Sequence, residues 1–195
     1  MEYPLPRGEE MIVLKRLFLL TGPPGVGKTT VTLRAVALFR QRGLSVGGMV
    51  TREVRDLETG ARVGFEVEDI ATGRRGWLAR VSGVPGPRVG RYVVDIPALE
   101  GVGASAISDA AVRSDVIVID EVGPMELLSG GFRGAVQGAV GSGKPVVATV
   151  HLRSSDPLVV SLKEMEDADV FVVSIENRGS IPGIIARRVS ALLLG

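Results

Sequence analysis

The sequence predicts an α/β fold: a Rossmann-like, mainly parallel sheet with helices on both faces and a β-hairpin extension at about 52–80. Three observations point there. Short β-branched runs alternate with longer stretches of helical period, and a glycine-rich loop joins the first such run to the first helix. A later apolar run ends in two adjacent carboxylates.

Taken in order, Arg16 to Thr21 (RLFLLT) is apolar at successive positions, as expected of a strand covered on both faces. Gly22 to Lys28 is a loop, Thr29 to Arg42 an amphipathic helix stopped by Gly43, and Ser45 to Thr51 a second strand. From Arg52 to Arg80 charges alternate with Val63, Phe65 and Val67, and turn signals fall at Glu58-Thr59-Gly60 and Ala71-Thr72-Gly73. That is the period of antiparallel strands with one wet face, a hairpin or a three-stranded extension. Val84 to Arg88 (VPGPR) is a loop, after which the α/β rhythm resumes with a strand at Arg91 to Asp95. Pro97 to Ser114 is a helix with proline near its first turn, and Asp115 to Asp120 (DVIVID) a strand. Then come a glycine-diluted helix (Gly131 to Val140), a strand (Pro145 to Val150) and a helix at Asp156 to Asp167 that Asp156 can cap. Asp169 to Ser174 is the last strand and Pro182 to Leu194 the last helix. With no repeats or linkers, one domain is expected over 1–195.

Composition narrows the function classes. The 195 residues carry 23 Lys and Arg against 22 Asp and Glu, a formal net charge of +1, so no basic excess exists to hold a nucleic acid. The absence of cysteine excludes disulfides, thiolate metal sites and a cysteine nucleophile. Met1 to Glu10, with Pro4, Pro6 and three acids, lacks the basic start of a signal peptide, and Lys15 and Arg16 break the apolar run from Met11 to Leu20. No uninterrupted run reaches the roughly 18 apolar residues of a membrane helix. A cytoplasmic protein is expected, without membrane or nucleic-acid partners, as a monomer or small homo-oligomer.

Two motifs carry the chemistry. Gly22-Pro23-Pro24-Gly25-Val26-Gly27-Lys28-Thr29 matches G-x-x-x-x-G-K-[ST] at every fixed position, after a buried strand and opening a helix. Glycines let successive N–H groups turn inward around an anion, and the helix N-terminus adds its own free N–H groups. In such a phosphate loop Lys28 reaches the β- and γ-phosphates and Thr29 ligates Mg²⁺. The second motif is Val116-Ile117-Val118-Ile119-Asp120-Glu121, followed by Val122 and Gly123. Ligands of open α/β sheets bind beyond the carboxyl ends of the strands, which is where Asp120 falls. An Asp there holds Mg²⁺ opposite Thr29, and Glu121 is a candidate general base for water attacking the γ-phosphorus. The alternative for Glu121 is a solvated loop acid. Glu126, after the Gly123-Pro124 turn, either orients that turn or is solvated, and the second reading is preferred.

GPPGVGKTT (22–30) with DEVGPMEL (120–127) resembles the thermophile-type nucleoside-triphosphatase family, whose vertebrate relatives are called cancer-related nucleoside-triphosphatase. Val89 to Asp95, Ala148 to His151, and Glu176-Asn177-Arg178 fit in the same order, so the resemblance runs from Leu17 to about Arg178. It implies a P-loop domain that hydrolyses ATP, GTP, CTP and UTP to diphosphate and phosphate, slowly and with Mg²⁺, with weak action on diphosphates. Relatives often have Lys where this chain has Pro124, so no role for that side chain carries over.

Other candidates are weaker. A γ-phosphate transition state calls for further positive charge, and Arg113, Arg133, Arg153 and Arg178 lie near element ends; Arg153 and Arg113 rank first. Thr149 can sense the γ-phosphate or hold water, and His151, the only histidine, is structural or supports the site from behind. Asn177-Arg178 occupies the base-reading position of GTPases without the full Asn-Lys-x-Asp. Trp77 caps an apolar cluster of the hairpin. A kinase using Arg74-Arg75 as a lid, and a nucleotide-switched binding module, are the competing functions.

Overall fold

The computed structural model of the chain describes residues 14–83 and 85–194. The acidic N-terminal segment and Val84 of the expected 84–88 loop lie outside them. β1 (Leu17–Thr21) is buried at every position. Its alternating side chains supply two cores: Leu17 and Leu19 join Ile117, Ile119 and Phe132 on one face, while Phe18 and Leu20 join Val31, Phe39 and Ile185 on the other. A strand covered on both faces therefore reads as an unbroken apolar run.

The remaining strands are β2 (Val46–Arg55), β3 (Arg62–Asp69), β4 (Arg75–Arg80), β5 (Arg88–Val89), β6 (Tyr92–Val94), β7 (Val116–Val122), β8 (Val146–Val150) and β9 (Ala168–Val172). Among the described residues they form one sheet of order β5-β6-β4-β3-β2-β7-β8-β1-β9. The block β2-β7-β8-β1-β9 is parallel throughout, so the carboxyl ends of these strands share one edge. α1 (Lys28–Gln41) and α6 (Ile181–Leu194) cover one face. The other is covered by α2 (Ile96–Ala98) continuing through a π-helical stretch (Leu99–Ala104) into α3 (Ser105–Arg113), and by α4 (Gly130–Gly141) and α5 (Pro157–Glu164).

The extension is the antiparallel block. β2 runs on past Thr51 to Arg55 and pairs with β3, which pairs with β4. Both turns use one chemistry: Asp56 accepts from the N–H of Thr59 at 2.8 Å and Asp69 from that of Ala71 at 2.9 Å, each beginning an Asp-x-x-Thr-Gly turn. The strand expected at Arg91 to Asp95 does not resume the parallel rhythm. It is β6, antiparallel to β4 and to the short β5, because Gly90 and Arg91 make a tight hairpin. The arginines that the kinase alternative would use as a lid are engaged within the fold. Arg74 donates to the Gly101 carbonyl at 2.6 Å and Arg75 pairs with Glu68 at 2.7 Å, so both side chains brace the extension. Trp77 stays there too, its ring centroid 5.1 Å from the Arg80 guanidinium.

Helix starts follow their caps. Asp95 accepts from the Ala98 N–H at 3.0 Å, Ser129 caps α4 through the Phe132 N–H at 2.9 Å, and Asp156 caps α5 through the Leu158 N–H at 3.0 Å. α5 ends at Glu164, three residues before the expected Asp167. No helix of the described residues is long and apolar enough to cross a membrane.

Candidate functional site

β8 lies between β1 and β7, so the phosphate loop after β1 and the acidic end of β7 flank the same strand end. The loop is held by sterics. A Cβ on Gly22 would stand 2.8 Å from the Val173 carbonyl oxygen, where the exit of β9 packs against it. Gly27 takes a left-handed conformation at the N-cap of α1 and contributes no side-chain cap, leaving the first N–H groups of that helix for an anion. The Lys28 ammonium folds back over the loop, donating to the carbonyls of Gly22 at 3.2 Å and Pro23 at 3.4 Å. Thr29 is half-buried and faces Asp120.

β7 delivers the acids. Val116 and Val118 are sealed in one core and Ile117, Ile119 and Val122 in the other, so these side chains anchor the strand that carries Asp120 and Glu121. The strand continues two residues beyond its expected end. Its pairing with β8 slips by one residue between Ile119 and Val122, which places Asp120 and Glu121 in a bulge. Asp120 is only 1% exposed. One of its oxygens, Oδ1, accepts a hydrogen bond from the Thr149 hydroxyl at 2.7 Å. The other, Oδ2, is buried with no partner. Burial pushes the Asp120 carboxyl up to about 6; the Thr149 and Thr29 hydroxyls and Lys28 pull the other way, and the charge of Glu121 adds to the rise. Thr29 thus faces the carboxylate without satisfying Oδ2. Glu121 is half-buried and folds over Gly123, whose Cβ would stand 3.4 Å from its Cγ.

A divalent cation fits these residues. Among them no cluster of three or more His, Asp or Glu could hold a metal by itself. A Thr hydroxyl and an Asp with a free oxygen are a hard-oxygen set that needs phosphate oxygens and water to complete it, the usual arrangement for Mg²⁺. An unpartnered buried carboxylate oxygen is otherwise costly.

The weaker candidates separate. Thr149 is fully buried, and its hydroxyl is spent on Asp120 rather than on a ligand. Arg113 ends α3 just before β7 begins, which puts it at the opposite edge of the sheet, so it is removed as a site arginine. Arg133 makes a two-pronged pair with Asp156, at 3.0 and 2.5 Å, and also holds the Leu127 carbonyl. Arg153 and His151 follow β8 and line a cavity of about 430 Å³ with Pro124 and Leu127. Arg178 lies on the phosphate loop itself, donating to the Val26 carbonyl at 3.3 Å.

Glu126 was preferred as solvated and is not. It lies in a 3₁₀ turn (Glu126–Leu128), 5% exposed, and a Cβ on Gly123 would meet its Oε2 at 3.0 Å. Burial pushes its carboxyl up to about 8, Glu121 and Asp120 push the same way, and the N–H groups of Glu126 and Gly123 oppose them. The turn-orienting alternative is the one realised. The signal was an acid set between Met125 and Leu127 directly after a strand-end turn, an apolar frame unsuited to a solvated side chain.

The similarities to known proteins agree with this geometry. A family model described as NTPase matches residues 17–186. The nucleoside-triphosphatase THEP1 of Thermofilum pendens is 49% identical over 177 residues, covering 90% of this chain and 96% of that one. The THEP1 protein of Methanopyrus kandleri is 45% identical over 173 residues, covering 88% and 93%. Among solved structures, the crystal structure of THEP1 from the hyperthermophile Aquifex aeolicus superposes with a TM-score of 0.75 at 30% identity, over 87% of this chain and 96% of that one. The solution structure of a human cancer-related nucleoside triphosphatase gives 0.73 at 35% identity, over 92% and 98%. Matched along nearly its whole length in both sequence and fold, the chain belongs to the THEP1 nucleoside-triphosphatase family.

Proposed function

We propose that the chain hydrolyses nucleoside 5′-triphosphates, ATP, GTP, CTP and UTP alike, to diphosphate and phosphate, slowly and with Mg²⁺, and acts weakly on diphosphates. The observation that carries the reading is Asp120: a buried carboxylate with one oxygen unpartnered, beside Thr29 and at the mouth of a phosphate loop. Loop N–H groups and the start of α1 hold the phosphates, and Lys28 exchanges its two loop carbonyls for β- and γ-phosphate oxygens. Thr29 and Asp120 hold the cation. When bound, Mg²⁺ supplies positive charge to the phosphate oxygens as the bond to the leaving group weakens.

Glu121 takes a proton from water as the water oxygen bonds to the γ-phosphorus. The bond from that phosphorus to the bridging oxygen breaks, and the diphosphate leaves with the bonding pair. Thr149 keeps Asp120 oriented, and Glu126 sets the turn that carries Gly123 past the site. The setting is cytoplasmic, with no nucleic-acid partner.

The test is phosphate release from the four common triphosphates with Mg²⁺, with and without EDTA. Metal-dependent release from all four supports the reading. Tight binding without release would favour a kinase, for which the cavity of about 430 Å³ beyond the ends of β7 and β8 offers room for an acceptor.

A further inference from the structure

The loop after β9 crosses the phosphate loop and puts a second, smaller cavity beside it. This cavity, of about 220 Å³, is lined by Gly27, Thr30, Val31, Arg34 and Arg178. The Arg178 side chain lies along the loop backbone: a Cβ on Gly27 would stand 3.6 Å from both its Cδ and its Nη1. Arg34 projects from α1 on the same side. Both arginines are exposed, and neither pairs with a carboxylate among the described residues. Two guanidiniums without acid partners therefore converge where the first turn of α1 leaves the phosphate loop.

Asn177, the neighbour placed to read a base, is already committed. Its Oδ1 accepts from the Ser174 N–H at 2.7 Å and its Nδ2 donates to the Val172 carbonyl at 2.8 Å. The amide knots the loop to β9, with one N–H and one oxygen lone pair already committed to backbone. The same knot fixes Arg178, whose N–H donates to the Ser174 carbonyl at 3.0 Å.

We infer that Arg178 and Arg34 form the nucleoside-end subsite, holding ribose and base by charge and by the flat face of the guanidinium, with no reading of the base edge. Every nucleobase has a π-face, and a planar guanidinium stacks on it whatever the hydrogen-bonding pattern at its rim. An edge reader needs a fixed donor and acceptor pair, and the amide at hand is held by backbone through one donor and one acceptor. The inference rests on the phosphate-loop reading and deepens it: tolerance of all four bases becomes a property of two arginines and of an asparagine tied to backbone.

Tripolyphosphate separates the two layers, because it has the phosphates and no nucleoside. Equilibrium affinities are measured with Mg²⁺ for tripolyphosphate and for the β,γ-methylene analogues of ATP, GTP, CTP and UTP. Arg178→Ala is expected to weaken all four nucleotides by a similar factor of about ten (on the order of 1.4 kcal/mol) while leaving tripolyphosphate unchanged. Arg34→Ala follows the same pattern, and Arg178→Lys, which keeps charge but not the plane, falls between. Thermal melts of the free variants matching the wild type show that folding is intact. An equal loss on tripolyphosphate would make Arg178 a phosphate ligand and overturn the inference. So would a loss confined to one base, or no loss at all. Wild-type protein that binds neither tripolyphosphate nor nucleotides would overturn the phosphate-loop reading itself, and the inference with it.

Discussion

Glu126→Gln isolates a buried acid beside the site and makes its burial measurable. Its carboxyl titrates at about 8 in the folded protein against an ordinary value of 4.5, chiefly because burial disfavours its charged form. The folded state therefore holds a proton between those two values that the unfolded chain has already released. Stability from this group is fully present below pH 4.5 and is lost as pH rises through about 8. The separation corresponds to on the order of 4 to 5 kcal/mol at the alkaline end. The amide of glutamine is close in size and can accept from the same two N–H groups, but it does not titrate. In urea unfolding between pH 5 and pH 9, with EDTA and no nucleotide, the variant gains on the wild type as pH rises to about 8 and the gain then levels off. Subtracting the two curves cancels the groups they share. Parallel curves would show that Glu126 is ionised and solvated in the folded protein and that its burial has been misread.

Two other substitutions probe the frame and the proposed metal ligand. Gly48 lies in β2 at a φ of +106°, and a Cβ there would stand 2.0 Å from the Val118 carbonyl oxygen of β7. Gly48→Ala is expected to cost roughly 3 kcal/mol or more and to lower the urea midpoint sharply; a loss under about 1 kcal/mol would contradict the close approach of these strands. Thr149→Val removes the hydrogen bond that Asp120 Oδ1 accepts and leaves the buried carboxylate with Thr29 and Lys28 alone to offset its burial. Affinity for Mg²⁺ with bound nucleotide is expected to fall about tenfold or more, with Thr149→Ser restoring it; calorimetric titration showing no change in either variant would remove Thr149 from the site.

The phosphate loop was legible because its chemistry is local. Glycines, Lys28 and Thr29 act through spacing along the chain, and the flanking strand and helix announce themselves by period. Asp120 was legible for a related reason, since a carboxylate that closes an apolar run at the carboxyl end of a parallel strand falls at the ligand-binding edge of the sheet. What sequence pattern does not carry is the partner of a strand. Tyr92 to Val94 is apolar whether its neighbour runs parallel or antiparallel, and the tight turn at Gly90 decided the matter. The burial of Glu126 depends on a turn packed under the site by distant residues. Arg113 could have been set aside from order alone, because a helix that feeds the start of β7 ends at the edge away from the site. Arg178 reaches that site from the far end of the chain, and only the pairing of β9 with β1 brings it there.

The division of labour at the site is tested most directly by comparing Glu121→Gln with Lys28→Ala in a phosphate-release assay with Mg²⁺, alongside binding of a non-hydrolysable triphosphate analogue. Glu121→Gln should keep binding and lose on the order of 10² or more in turnover, while Lys28→Ala should lose tight binding itself. Normal turnover in Glu121→Gln would contradict the assignment of Glu121 as the base that activates water.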